Sequence, residues 1–358
     1  IEGEVGRLAI TRAIAAAMIE QRRDPERLDV LGDTDALAQA CYAPIVDYCK
    51  YQGIALASDR VATALGGDKL FFLSVSDPTG LANIVLPADW PTQLVWWPAV
   101  AHEVAHNFYR SVPGLSAELA AICALPDTKA IPSGTSALTM DDIGQAVSAW
   151  QEELFADAFG TMMLGPTYVT TMSWLFQSTS SPKHVLAADI AENGRDYEEH
   201  PPAHVRVVAA CRLLGQMGYG KIADELEGKW RELHGDPTTA ILPTRRGQWF
   251  AIPDEVICAR AADVGLALYR EGFRALNGMP LRGIAGLDFG PREHEATRAV
   301  ASALANGQKP VTRDPRIVIA GAVLAWIAQE KPAVLSSEMY IETGDDRANA
   351  ALSTVLAR

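Results

Sequence analysis

Two histidines four residues apart flank a glutamate in the stretch His102-Glu103-Val104-Ala105-His106. On a helix, residues i and i+4 share one face. Both imidazoles can then reach a single metal ion, and Glu103 beside it can take a proton from a metal-bound water. A hydrolytic zinc ion takes three protein ligands and keeps a fourth position for water. The spacing HExxHxxGxxH would supply a third histidine, but Tyr109 stands at its glycine and Val112 at its last histidine. The remaining source is a carboxylate on a second helix, and Glu153 is the best candidate. Asp157 follows it at i+4, and the pair sits among Leu154, Phe155, Ala156, Ala158, Phe159 and Met162. Carboxylates in so apolar a helix are costly to bury unless a cation or a hydrogen-bond donor meets them. Zinc can meet Glu153, and the N–H of a ligand imidazole can meet Asp157, which fixes that imidazole's tautomer. Glu152 is the runner-up ligand, with Ala156 where its own i+4 acid would be.

A third element follows in His200-Pro201-Pro202-Ala203-His204-Val205-Arg206. On local grounds it can be a helix start with proline in the first turn, and Arg206 can pair with Glu198, Glu199 or Asp157. His184, His234 and His294 lack metal-ligand spacing.

Taken in order, His102-Glu103-x-x-His106, Glu153-x-x-Ala156-Asp157 and His200-Pro201-x-x-x-x-Arg206 resemble the motifs of the gluzincin metallopeptidases, particularly the CAAX-prenyl-protease and HtpX-like branch. The resemblance covers about 70–217. It implies a zincin-like core, a Zn2+ cofactor held by His102, His106 and Glu153, and Asp157 behind a ligand histidine. It also implies hydrolysis of a peptide or protein substrate, with Glu103 as general base. His200, or His204 in its place, would stabilise the developing oxyanion, and Arg206 would orient that histidine or bind substrate. An edge strand over 81–86 would bind extended peptide by β-augmentation. The membrane-bound members carry transmembrane helices that have no counterpart here, so prenylated or membrane substrates do not carry over.

Two readings of other classes compete. Two histidines and a carboxylate also describe the facial triad of iron-dependent oxygenases, although Glu103 has no evident duty there. A catalytically silent peptidase fold that binds a partner is the other.

The elements that must position these residues read as mostly α (α+β). The 358 residues allow one large domain or two closely packed ones, and 49% hydrophobic with 21% charged residues suits a globular chain rather than a disordered one. A net charge of −13 without a basic stripe argues against nucleic acid. The scattered cysteines (Cys41, Cys49, Cys123, Cys211, Cys258) contain no CxxC pair, as expected in a reducing compartment. Ile1 to Arg7 lack signal-peptide character, and the apolar run Ile317 to Ala328 is too short to span a bilayer. The expectation is a cytoplasmic protein without membrane insertion and of undetermined oligomeric state.

Helices are expected over 7–23 and 34–52, the latter capped by Asp33 or Thr34 and ended by Gly53. Strands are expected at 70–75 and 81–86 around the turn Asp77-Pro78-Thr79-Gly80. The metal-binding helix follows, closed by Pro113-Gly114. Further helices are expected near 115–124, 141–164, 166–177, 203–217, 221–234, 254–276, 292–306, 314–329 and 346–357, with a polar loop at 178–183. Pro- and Gly-bearing connections near 236–248 suggest three stretches: an N-terminal helical region (1–69), a catalytic core with a small sheet before the HExxH helix (70–235), and a helical C-terminal region (236–358).

Overall fold

The computed structural model describes residues 12, 15–16, 18–66, 73–76, 81–89, 93–123, 130–131, 138–177, 185–187, 199–243 and 249–329. The turn at 77–80, the loop at 178–183, the helix at 346–357 and His184 lie outside them, as does most of the start of the helix expected over 7–23.

The first long helix, α1 (Pro25–Gln52), begins nine residues before its expected start. Asp24 caps it by accepting from the Glu26 N–H, Pro25 takes the first turn, and Gly53 closes it with φ 68°. Thr34 is therefore no cap. Its hydroxyl, fully buried, lies 3.1 Å from both the Val30 and Leu31 carbonyls and 2.7 Å from the Thr63 hydroxyl. Asp35 extends this anchorage by accepting the Thr63 N–H and hydroxyl, which ties α1 to the first sheet.

That sheet contains β1 (Arg60–Leu65), β2 (Leu73–Ser76) and β3 (Leu81–Leu86) in the order β1-β3-β2. β2 runs antiparallel to β3, as a hairpin requires, but β1 adds a parallel partner on the other side. β3 is thus the central strand, its backbone groups engaged on both flanks, and the expectation that 81–86 offers a free edge to a peptide is corrected.

A short 3-10 turn (Leu94–Trp96) leads into α2 (Ala99–Ser111), which carries His102, Glu103 and His106 and ends before Pro113-Gly114. α3 (Leu115–Cys123), a short ribbon of β4 (Ala130–Ile131) and β5 (Leu138–Thr139), and α4 (Met140–Ala149) follow. The single helix expected over 141–164 is two: the chain breaks at Trp150, and α5 (Gln151–Leu164) starts there. α5 reverses at Gly165, whose φ of 57° few other residues adopt, directly into α6 (Pro166–Gln177).

Next come β6 (Val185–Ala187), α7 (Ala203–Leu214), a π-helical turn at Gly215–Tyr219 and α8 (Gly220–His234). The 236–248 connection is no simple linker: β7 (Thr239–Pro243) pairs in parallel with β6 and antiparallel with β8 (Trp249–Pro253). α9 (Asp254–Arg270), α10 (Pro291–Ala305) and α11 (Pro315–Gln329) complete the described chain. The expected helix at 254–276 stops at Arg270, and a short turn occupies Arg274–Leu276.

The protein is mostly helical with small sheets. One buried apolar cluster runs from Leu37 to Val323, so all three stretches drawn from sequence share a core. No helix among the described residues is long and apolar enough to cross a membrane.

Candidate metal centre

α2 and α5 lie against each other through their aromatic side chains. The Phe108 ring sits 5.3 Å from Phe155 and 5.8 Å from Phe159, and Tyr109 sits 5.2 Å from Phe155. Full burial of each phenylalanine contributes about 1.5–3 kcal/mol, enough to hold the two helices in a fixed relation. That relation brings the opposite faces together at three side chains. His102 Nε2 and His106 Nε2 are 3.1 Å apart, and each lies 3.4 Å from a carboxylate oxygen of Glu153. Ligand atoms about 2.0–2.1 Å from a tetrahedral zinc ion must be about 3.3 Å from one another. The two Nε2 atoms stand near that spacing, and each lies near it from a different Glu153 oxygen, Oε2 for His102 and Oε1 for His106.

The arrangement behind them decides which nitrogens are available. His102 Nδ1 lies 3.0 Å from Asp157 Oδ1, and His106 Nδ1 lies 2.9 Å from Glu152 Oε1. Each far nitrogen meets a carboxylate as donor, which leaves each Nε2 as the nitrogen that would take a metal at the shared point once any proton on it is displaced. Asp157 is in turn gripped by Arg206, through Nε at 2.7 Å and Nη2 at 2.8 Å, and accepts the Tyr168 hydroxyl at 2.8 Å. Arg206 also reaches Glu153 with Nη1 at 3.2 Å, and Arg110 meets Glu152 at 2.7 Å.

Electrostatics follow from this packing. Burial opposes ionisation of Glu153 and Asp157, but the Arg206 guanidinium and the His102 imidazole outweigh it and hold both carboxyls below their ordinary range. Burial likewise opposes a charged His102, yet its hydrogen bonds to Asp157 and Glu153 push it up to about 10. The surroundings thus favour a positive charge at this position. Arg206 meets both Asp157 and Glu153, and a proton on His102 supplies the second positive charge beside them. A divalent cation held by His102, His106 and Glu153 would take the place of that proton. The donor set therefore fits a metal, and its N2O composition suits zinc.

Glu103 is buried beside the triad on α2, and burial pushes its carboxyl above its ordinary value. His200 Nε2 lies 3.7 Å from Glu153 Oε1 with its side chain 58% exposed, so the cluster is reached from solvent on that side.

No family model, curated protein or solved structure matches this chain. The site is read on its own geometry.

Two expectations change. Arg206 is buried behind the carboxylates and faces Asp157 and Glu153; it is placed neither to orient His200 nor to meet a substrate. His204 cannot stand in for His200, because it is 2% exposed in a separate cluster with Asp254 and Cys258. There Trp230 Nε1 donates to His204 Nδ1 at 3.0 Å, so the ring proton sits on Nε2, 3.2 Å from Asp254 Oδ2. Nε2 then has no lone pair for a metal. Burial and Asp254 also push the Cys258 thiol up, so in this cluster it is a neutral thiol. His234 stacks on Trp230 and His294 edges Tyr219, away from the triad.

Sequence reasoning missed two participants. Glu152 is a partner of His106 rather than an alternative ligand, and Tyr168 joins Asp157 and His102. The only local signal for Tyr168 was its position two residues beyond Gly165-Pro166, where a sharp reversal returns α6 onto α5.

Proposed function

We propose that this chain is a zinc-dependent metallopeptidase with a zincin-like core, acting on a peptide or protein substrate. The observation that carries the reading is the convergence of His102 Nε2, His106 Nε2 and the Glu153 carboxylate on one point, with buried Glu103 on the histidines' helix. The three motifs and their order support placing it with the gluzincins.

The chemistry a bound zinc supplies here is a water acidified to a pKa of about 7 and a polarised scissile carbonyl. Glu103 accepts the water's proton and delivers it to the leaving amine. His200, exposed at the entrance, donates to the carbonyl oxygen as negative charge develops there. Asp157 and Glu152 hold the two imidazoles in the donor-outward tautomer, and Arg206 keeps Asp157 and Glu153 ionised. Glu103 distinguishes this reading from oxygen chemistry on the same ligand set, which has no use for a base at that position.

The test is cleavage of a mixed peptide library followed by mass spectrometry. Glu103→Gln, nearly isosteric, is expected to keep the metal and lose at least about 100-fold in cleavage rate. Cleavage undiminished in Glu103→Gln would rule out the assigned mechanism.

A further inference from the structure

Asp157 takes more hydrogen bonds than its place behind one histidine requires. Its Oδ1 receives Arg206 Nη2 at 2.8 Å, the Tyr168 hydroxyl at 2.8 Å and His102 Nδ1 at 3.0 Å. The Tyr168 oxygen is itself 3.2 Å from His102 Nδ1. Phenol, carboxylate and imidazole thus form a closed triangle beneath one ligand of the metal centre.

The triangle has a direction. A phenol has one proton, and its shorter contact, 2.8 Å, is to the acceptor-only carboxylate of Asp157. The proton goes to Asp157, so the phenol's lone pairs are what face His102 Nδ1. Nδ1 consequently meets two acceptors, Asp157 Oδ1 and Tyr168 Oη, and no donor. Its proton is fixed there, and Nε2 is the nitrogen left to take a metal at the point shared with His106 and Glu153.

The backbone is shaped to hold this phenol. Tyr168 is 3% exposed, and its ring lies flush on Gly160, where an added methyl group would overlap the ring carbons. Glycine in the interior of α5 is less favourable than alanine. Here it opens the seat in which the ring lies. The reversal at Gly165 then lets α6 return at the height that places the hydroxyl between Asp157 and His102.

We propose that Tyr168, seated on Gly160, is a positioning residue of the metal centre that fixes the tautomer and ring orientation of His102. The proposal rests on the reading of His102, His106 and Glu153 as metal ligands. His106 is the internal control, since its far nitrogen meets Glu152 alone among the partners described.

The experiment is titration of the full chain with Co2+, followed by optical and proton NMR spectra of the cobalt-bound protein. Tyr168→Phe keeps the ring on Gly160 and removes only the hydroxyl. It is expected to weaken Co2+ binding about tenfold, at the low end for partners of ligand groups. It should also shift the exchangeable Nδ1–H resonance of His102 while leaving that of His106 in place. Gly160→Ala, which keeps the hydroxyl but displaces the ring, should give the same selective shift; if it does not fold, Tyr168→Phe decides alone. Unchanged affinity and an unmoved His102 resonance in Tyr168→Phe would overturn the role of Tyr168 and leave the metal centre standing. Failure of the unaltered protein to take up Co2+ would overturn both.

Discussion

Two buried clusters in this protein look alike by composition. One joins His102, His106 and Glu153 between α2 and α5; the other joins His204, Asp254 and Cys258 between α7 and α9. Both bring potential ligand atoms within reach of a common point. They differ at the back of the imidazole. In the first, Asp157 and Glu152 accept from the far nitrogens and free each Nε2 for a metal. In the second, the Trp230 N–H donates to the far nitrogen of His204 and forces the proton onto Nε2, where Asp254 takes it. A metal site is therefore distinguished less by its ligand residues than by the hydrogen-bond polarity behind them. The first cluster is a candidate centre; the second is a hydrogen-bonded chain that ties α8 to α7 and α9.

The largest expected effect tests whether the first cluster depends on its buried cation. Arg206→Met leaves Asp157 buried without its guanidinium, and destabilisation of about 3–5 kcal/mol is expected in denaturant unfolding. A loss under about 1 kcal/mol would mean that Asp157 finds other compensation and that the cluster is looser than described. The second cluster should respond more mildly. Trp230→Phe removes one donor from a buried acceptor and should cost about 1–3 kcal/mol, with no change in metal content. Stoichiometric metal at His204, Asp254 and Cys258 in the unaltered protein would break the comparison outright.

The smallest effect isolates pH dependence that belongs to neither cluster. Burial, and secondarily Asp29, raise Asp33 to about 6 from 3.8. The folded state therefore holds its proton over a range in which the unfolded chain releases it, so stability falls as pH rises from about 4 to 6. Asp33→Asn should flatten that limb by less than about 1 kcal/mol, because the group is only partly buried and screened by solvent. An unchanged limb would transfer the dependence to Glu103, the site carboxyl that burial also raises.

The sequence made the ligand helices legible because their information is local. His102 and His106 share a face by spacing alone, and Glu153 and Asp157 stand out as acids in an apolar helix. The residues that orient them were not legible, because their partners are distant in sequence. Glu152 reads as a duplicate of Glu153 until His106 is seen beside it, and Tyr168 matters only once Gly165 has reversed the chain. The fold follows the same division. Helix ends at Gly53 and at Pro113-Gly114 were readable from terminator residues. β1 was not: its Ala62 and Ala64 give weak alternation, and it is a strand by virtue of parallel pairing with β3. The start of α1 was misplaced because Asp33-Thr34 resembles a cap, whereas Asp24-Pro25 provides the real one. Arg206 stands out in sequence, but only the packing of α7 on α5 decides that it faces Asp157 and not the solvent side.

The most direct test of the central claim is metal content by elemental mass spectrometry, run on the unaltered chain and on His102→Ala and Glu153→Ala. The account predicts about one zinc per chain in the unaltered protein and loss of that zinc in both variants, each measured alongside a folding check. Zinc retained in both folded variants, or no zinc bound even when it is supplied in excess, would contradict the assignment of His102, His106 and Glu153 as a metal centre.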